Sequence, residues 1–296
     1  MKIKIYLFVF IFTIASNAYS QLVLSDSLNC LIEKADQGDA DTQLELGMYY
    51  YCNKDYEQAV KWLMKAADQG HATAQSNLGI CYYNGEGVPQ NYNQAVHLFK
   101  QGAEKENPIA QAYLGMCYFY GVGVQIDYNQ AVCLCKKAAE YRHPVAQFIL
   151  GNCYLLGKGV PQNNNQAFEW YRKAADQGHV GAQFGLGSYY YVVMKDYEQA
   201  AKWFKVAAEQ GHSDAQLALG DCYSFGQGVP QSDSMAAYWY KKAANQGHPE
   251  AQFVLGVCYM GGIGVSHDEK LGYYWLEKAA DQGHQKAKER LKRLQK

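Results

Sequence analysis

The sequence predicts an all-α fold, a solenoid of stacked antiparallel helix pairs. The first observation behind this is a recurring anchor, Ala-Gln-x-x-Leu-Gly, at residues 42 (with Thr42 for alanine), 74, 110, 146, 182, 215 and 251. Successive starts lie 32, 36, 36, 36, 33 and 36 residues apart, and a truncated copy begins 36 residues later at Ala287. The second is that each unit carries two apolar stripes at helical spacing, each closed by glycine. The third is that rare residues fall in columns. All five tryptophans (Trp62, Trp170, Trp203, Trp239 and Trp275) stand 12 residues before the next anchor. The six prolines occupy two positions, and six of the eight histidines occupy one. A period of this length marks a repeat array, in which one helix pair cannot bury its apolar face alone but stacked pairs can.

Taken in order, the elements begin with a targeting segment. Lys2 and Lys4 precede an apolar run from Ile5 to Ala15, and Ala18-Tyr19-Ser20 fits a small-x-small cleavage site. Residues 1–20 are therefore expected to be a signal peptide cut between Ser20 and Gln21, with the protein secreted or periplasmic and no integral membrane segment left. The run is too short to span a bilayer comfortably. Residues 21–296 are then one solenoid of about seven repeats. A half-unit near 24–38 precedes them and a charged capping helix over 285–296 closes them. In DAQLALGDCYSFG (214–226), Ala215, Leu219, Cys222 and Tyr223 share a face and Gly226 stops the helix. In MAAYWYKKAANQG (235–247), Ala236, Trp239, Tyr240 and Ala243 form the stripe and Gly247 stops it. The tryptophan column reads as packing between repeats.

Composition narrows the function. With 27 Lys+Arg against 28 Asp+Glu, the net charge of −1 gives no footprint for nucleic acid, and no polybasic segment faces an acidic membrane. The Gly-x-Gly loops (such as Gly85-Glu86-Gly87 and Gly226-Gln227-Gly228) lack the preceding strand and the Gly-Lys-Ser/Thr end of a phosphate site, so they read as interhelical corners. Cys81, Cys117, Cys153, Cys222 and Cys258 form one column, two residues after the Leu-Gly, and read as core. Cys117 with Cys133 or Cys135 is the one disulfide pair to consider in an oxidising compartment. The histidines come one per repeat, the wrong spacing for a metal, and read as part of the Gln-Gly-His turn. No catalytic constellation, cofactor site or metal site is expected.

With the columns aligned, segments such as AQFVLGVCYMGGIGV (251–265) and AFEWYRKAADQGHVGAQ (167–183) resemble the Sel1-like repeat family, a relative of the tetratricopeptide repeats. The resemblance covers residues 30–290. It implies a right-handed superhelix whose first helices line a concave face for protein contacts. The first and fifth repeats, with YYCNKDYEQA (50–59) and YYVVMKDYEQA (190–200), lack the G-x-GV insertion and look closer to ordinary tetratricopeptide repeats. Carried onto this chain, the partner-binding face includes Tyr83, Met116, Phe119, Asn152, Ser188, Tyr191 and Asp221. The expected function is a non-enzymatic, monomeric scaffold for a protein or peptide partner, in envelope maintenance or host interaction. Two alternatives stay open: a penicillin-binding or β-lactamase-like envelope protein of the cysteine-rich branch, and a glycan- or peptidoglycan-binding module.

Overall fold

The computed structural model describes residues 28–294, so the expected signal peptide and its cleavage site lie outside the described residues. Among the described residues there are sixteen α-helices and no strand. A short helix, α1 (28–36), leads into first helices α2 (Ala40–Cys52), α4 (Ala72–Asn84) and α6 (Pro108–Tyr120), with second helices α3 (Tyr56–Asp68) and α5 (Tyr92–Glu104) between them. Next come α7 (Tyr128–Glu140), α8 (Pro144–Leu156), α9 (Asn164–Ala175), α10 (Val180–Tyr189) and α11 (Tyr197–Glu209). The chain ends in α12 (Ser213–Phe225), α13 (Asp233–Asn245), α14 (Pro249–Gly261), α15 (Glu269–Asp281) and α16 (Gln285–Leu294). The helices form two compact units, one ending at Ile126 and one starting at Asp127. Within each unit, every second helix packs on its own first helix and on the first helix that follows.

Most turns between helices are closed by a side chain; the turn into α8, at His143, has no side-chain cap. Second helices open on Asp55, Asn91, Asp127, Asn163, Asp196, Ser232 and Asp268, each accepting a backbone N–H from the first turn. First helices open on the histidine column. Nδ1 of His71, His179, His212, His248 and His284 accepts the N–H three residues on, at 3.1–3.3 Å. Asn107 takes that position ahead of α6 and does the same.

The core rests on one contact made again in six of the seven repeats. The glycine of Leu-Gly on the first helix lies against the residue after the tryptophan column on the second. A Cβ added at Gly79 would come within 2.6 Å of Phe99, at Gly187 within 2.7 Å of Phe204, and at Gly220 within 2.5 Å of Tyr240. Gly47 faces Leu63, Gly151 faces Tyr171 and Gly256 faces Leu276 in the same way. The tryptophans pack less uniformly than the sequence predicts. Trp62 and Trp239 are buried, whereas Trp170, Trp203 and Trp275 are half-buried, and lysines lie over Trp62 and Trp170 at 3.8 and 4.3 Å. The reason is angular. Adjacent helix positions differ by about 100°, so the neighbour of the tryptophan takes the centre of the face.

The buried glutamines of the anchor tie three helices together. Gln216 donates to the Ala208 carbonyl of the preceding second helix at 3.0 Å and accepts from Gln246 of the next at 2.7 Å. Gln43, Gln183 and Gln252 repeat both bonds. In Gln75 and Gln111, Oε1 is buried without a hydrogen-bond partner. Lys105 and Tyr141 stand in the sequence where other repeats place the second glutamine.

The corners confirm the glycine reading. Gly226 ends α12 in the left-handed region, φ 66°, and a Cβ on Gly228 would lie 1.9 Å from the Tyr197 carbonyl. The two repeats without this corner use a lysine at positive φ, Lys54 at 63° and Lys195 at 57°. From the Leu-Gly glycine to the next helix's first residue, Gly47 to Tyr56 is nine steps and Gly187 to Tyr197 ten. The extra residue is absorbed as a π-helical turn, Tyr190–Met194. Both repeats then reach forward through a tyrosine, from Tyr51 to Glu86 at 2.8 Å and from Tyr191 to Gln227.

At the C-terminus α16 takes the place of another first helix but carries Lys288 and Lys292 where the glutamine and the Leu-Gly glycine belong. Position 292 therefore lacks the glycine that seats a second helix in other repeats.

Phe204→Ala should cost about 3–5 kcal/mol and Trp203→Ala clearly less, read as paired melting curves. Lys105→Gln should raise stability by about 1 kcal/mol by giving Gln75 its missing donor, measured by denaturant unfolding. No change in the latter would remove the glutamine node from the account of stability.

Candidate functional site

The predicted face residues fall in the two units and are placed in each separately. In the first, Tyr83 of α4 is half-buried, its ring edge-on to Tyr92 at 5.2 Å, and burial pushes its phenol up to about 12. Met116 is half-buried on α6. Phe119 is 8% exposed, so its ring belongs to the core and offers a partner little surface.

In the second unit Asn152, Ser188, Tyr191 and Asp221 are all half-buried. Three of them are already engaged inside the fold. Asn152 Oδ1 accepts from the Tyr171 hydroxyl at 2.6 Å, and Asp221 Oδ1 accepts from the Tyr240 hydroxyl at 2.8 Å. Burial raises the Asp221 carboxyl above its ordinary value, partly offset by that hydrogen bond. These polar groups therefore anchor the tyrosines that fill the Leu-Gly glycines. Ser188 is left as the more available member; Tyr191, on the π turn, donates its hydroxyl to Gln227 and has its ring 5.1 Å from Tyr197.

The structure also shows a cleft that the sequence reading did not single out. It lies on the second helices, between Lys205 and Glu209 of α11 and Met235, Tyr238, Trp239 and Lys242 of α13, with Tyr223 of α12 also lining it. Its volume is about 430 Å³, the scale of one or two side chains of a ligand. Lys242 Nζ stands 4.9 Å from both the Tyr238 and Trp239 rings. The signal was present in the sequence. Tyr238 and Tyr274 each precede a tryptophan by one residue and a lysine by four, the spacing that brings two side chains together on a helix.

Groups with chemical potential are otherwise used by the fold. Cys81, Cys117 and Cys153 are buried, and desolvation pushes their thiols up to about 12; Cys222 and Cys258 rise to about 11. All nine cysteines are free thiols, and of the pair considered for a disulfide with Cys117, Cys133 is exposed and Cys135 buried. A thiol held so far above neutrality is a poor nucleophile. The histidine Nε2 atoms meet carboxylates of the preceding first helix, His71 with Asp41 and His248 with Asp214 at 3.0 Å, and His284 with Glu250 at 2.8 Å. Among the described residues no three or more His, Cys, Asp or Glu side chains stand together as a metal-ligand set, and no helix is long and apolar enough to cross a membrane.

The Sel1 repeat model matches residues 40–71, 72–107, 108–140, 144–179, 180–212, 213–248 and 249–284. The chain belongs to the Sel1 repeat family. Repeats of this family generally serve protein–protein interaction, and its members are generally non-enzymatic. Among solved structures, the chain is similar to a protective antigen present in uropathogenic Escherichia coli strains, at 38% identity with a TM-score of 0.65. That match covers 88% of this chain but only 57% of the antigen. A Sel1 repeat protein from Oxalobacter formigenes is 35% identical with a TM-score of 0.67, covering 92% of this chain and 80% of that one. An immunity protein from Pseudomonas aeruginosa shares the fold at 22% identity and a TM-score of 0.50, covering 71% and 81%. No curated protein sequence matches the chain.

His143 lends this Sel1 array a measurable pH dependence. Burial first, and then the neighbouring His179, lower its imidazole from 6.5 to about 4. Between those values the unfolded chain binds a proton that the folded protein refuses. Its contribution is therefore complete above pH 6.5 and is lost as pH falls toward 4, by up to about 3 kcal/mol. His143→Asn, copying Asn107, should show a shallower fall in melting temperature from neutral pH to about pH 4.5 than the parent chain. Equal slopes would assign the acid sensitivity to other groups.

Proposed function

We propose that this Sel1-repeat protein is an exported, non-enzymatic scaffold that holds a protein partner on the first-helix side of its repeats. The observation that carries the reading is how the recurring polar columns are used. The glutamines, the histidines, the capping aspartates and asparagines and the column cysteines all act within the fold. Left for a ligand are half-buried aromatic, methionine and small polar side chains such as Tyr83, Met116, Ser188 and Tyr191. Such side chains give broad contact area at modest entropic cost. Export rests on the Lys2–Ser20 pattern.

Ser188→Lys tests the site without disturbing the packed tyrosines. A partner cross-linked to the parent protein in the envelope fraction should be lost from this variant at unchanged melting temperature. Amino-terminal sequencing of the recovered protein should begin at Gln21. A partner retained by the variant would move the binding surface off the first helices, and the cleft at Tyr238 and Lys242 would be the next to mutate.

A further inference from the structure

The described array starts and stops on opposite halves of a repeat. At its start α1 behaves as a second helix. Gln43 of the following first helix donates to the Ala35 carbonyl at 2.8 Å, as Gln216 does to Ala208, and Cys30 stands in the tryptophan column. Leu31 therefore holds the place of Leu63, Phe99 and Tyr240, which are buried against a Leu-Gly glycine. Leu31 itself is only half-buried, and among the described residues no first helix stands ahead of it. At the other end α16 is the converse, a first helix. His284 caps it through the Ala287 N–H at 3.2 Å and reaches back to Glu250, as His248 caps α14 and reaches back to Asp214. Among the described residues no second helix follows it.

The two ends also carry opposite charge. In α16 five Lys or Arg stand against Glu289 alone, while Ala287, Leu291 and Leu294 pack into the cluster of Leu276 and Ala279. Lys286, Lys288, Arg290, Lys292 and Arg293 are all exposed, and among the described residues none is in a salt bridge. Adding α15, on which this helix packs, leaves seven cations against four carboxylates. At the other end α1, α2 and the turn between them hold five carboxylates against Lys34. Two of these have partners, Asp36 with Lys65 at 3.3 Å and Asp41 with His71 at 3.0 Å. Counting residues 28–68, which takes in every lysine of α3, still leaves eight carboxylates against four lysines. Glu33 and Glu45 are exposed and in no salt bridge among the described residues. A cap that only keeps an array soluble has to be polar, not single-signed. Lys286 moreover stands in the first turn of α16, where the helix dipole disfavours a cation.

We propose that the protein associates head to tail with a second copy of itself, the basic α16 of one copy standing in front of the acidic α1 and α2 of the next. The arrangement joins a first helix that lacks its second to a second helix that lacks its first, so each interface completes a repeat. Lys292, in the glycine column, holds the two helices further apart than any pair inside the chain. Its alkyl stem covers Leu31 while its ammonium reaches the carboxylates beside that residue. Charge therefore carries most of the contact, which forms fast and weakens with salt. An interface of this heterologous kind uses a different surface at each end and needs neither Tyr83 nor Ser188.

The test is sedimentation velocity of the full chain over about a hundredfold range of concentration, at low and at physiological salt. Residues 1–20 are common to all forms, so differences between variants isolate the ends. The parent should associate as its concentration rises, and physiological salt should weaken this about tenfold. Lys288→Glu/Arg290→Glu/Lys292→Glu makes both ends acidic, and Glu33→Lys/Asp36→Lys/Glu45→Lys makes both basic. Each variant alone should associate at least about tenfold more weakly than the parent. Mixing the two should restore association, because every end then finds one of opposite sign on the other variant. That recovery also rules out a folding defect, with melting temperature as control. A parent that stays monomeric at every concentration overturns the proposal, as do variants that associate like the parent. A mixture that stays monomeric at unchanged melting temperatures overturns it as well, and would leave α16 to an acidic partner other than this chain.

Discussion

The absence of a side chain at one position per repeat governs how closely the helices approach. At Gly220 the second helix presses the Tyr240 ring to where a Cβ would be, 2.5 Å away, and phenylalanine or leucine fills the same space at Gly79, Gly187 and Gly256. Interiors packed at crystal-like density have no slack for a methyl group there. A close approach of this kind also sets where the polar columns can meet. Only when the helices are that near can Gln216 reach Ala208 on one side and Gln246 on the other. The same constraint sets α16 apart: Lys292 stands where the other first helices carry the glycine that seats a second helix.

Most of the architecture was legible in the sequence because a repeat averages out local ambiguity. A single Gly226-Gln227-Gly228 is uninformative, but five copies at a fixed distance from Leu-Gly can only be corners. The cysteine column and the histidine turn were legible for the same reason, and the N-cap role of His248 gives that turn its physical content. What escaped depended on one step along a helix. Trp203 and Phe204 are both large and apolar, and no pattern in the sequence says which of two positions about 100° apart faces the glycine. The structure gives the centre to Phe204. The face residues show the same limit: Asn152 and Asp221 looked free in sequence, yet each holds a tyrosine hydroxyl within 3 Å, at 2.6 and 2.8 Å. The π turn needed a length comparison between two exceptional repeats, where alignment by anchors alone had treated them as equivalent.

A fold built this way has consequences for chemistry. Catalysis needs groups whose protonation is poised and whose geometry converges on one point. Here repetition spreads titratable groups one per unit, and packing commits them. Desolvation holds Cys81 and Cys117 up near 12 as thiols, and His143 down near 4 as a neutral imidazole. Such shifts commonly flag active sites, but in this chain burial is the leading cause. Perturbed groups in columns are a signature of structural duty.

Repetition also makes departures from the pattern the informative positions. Where a column keeps its residue type, the fold explains it. Where it does not, either stability falls or a surface gains a property. Lys105 breaks the glutamine node and leaves Gln75 Oε1 without a partner, a loss of about 1–3 kcal/mol by the usual cost of an unmatched buried acceptor. Val192, Val193 and Met194 instead break the glycine corner without touching the core, and place apolar area in water that folding does not require. These side chains are exposed and lie outside the packed core, so packing within the repeat does not account for them.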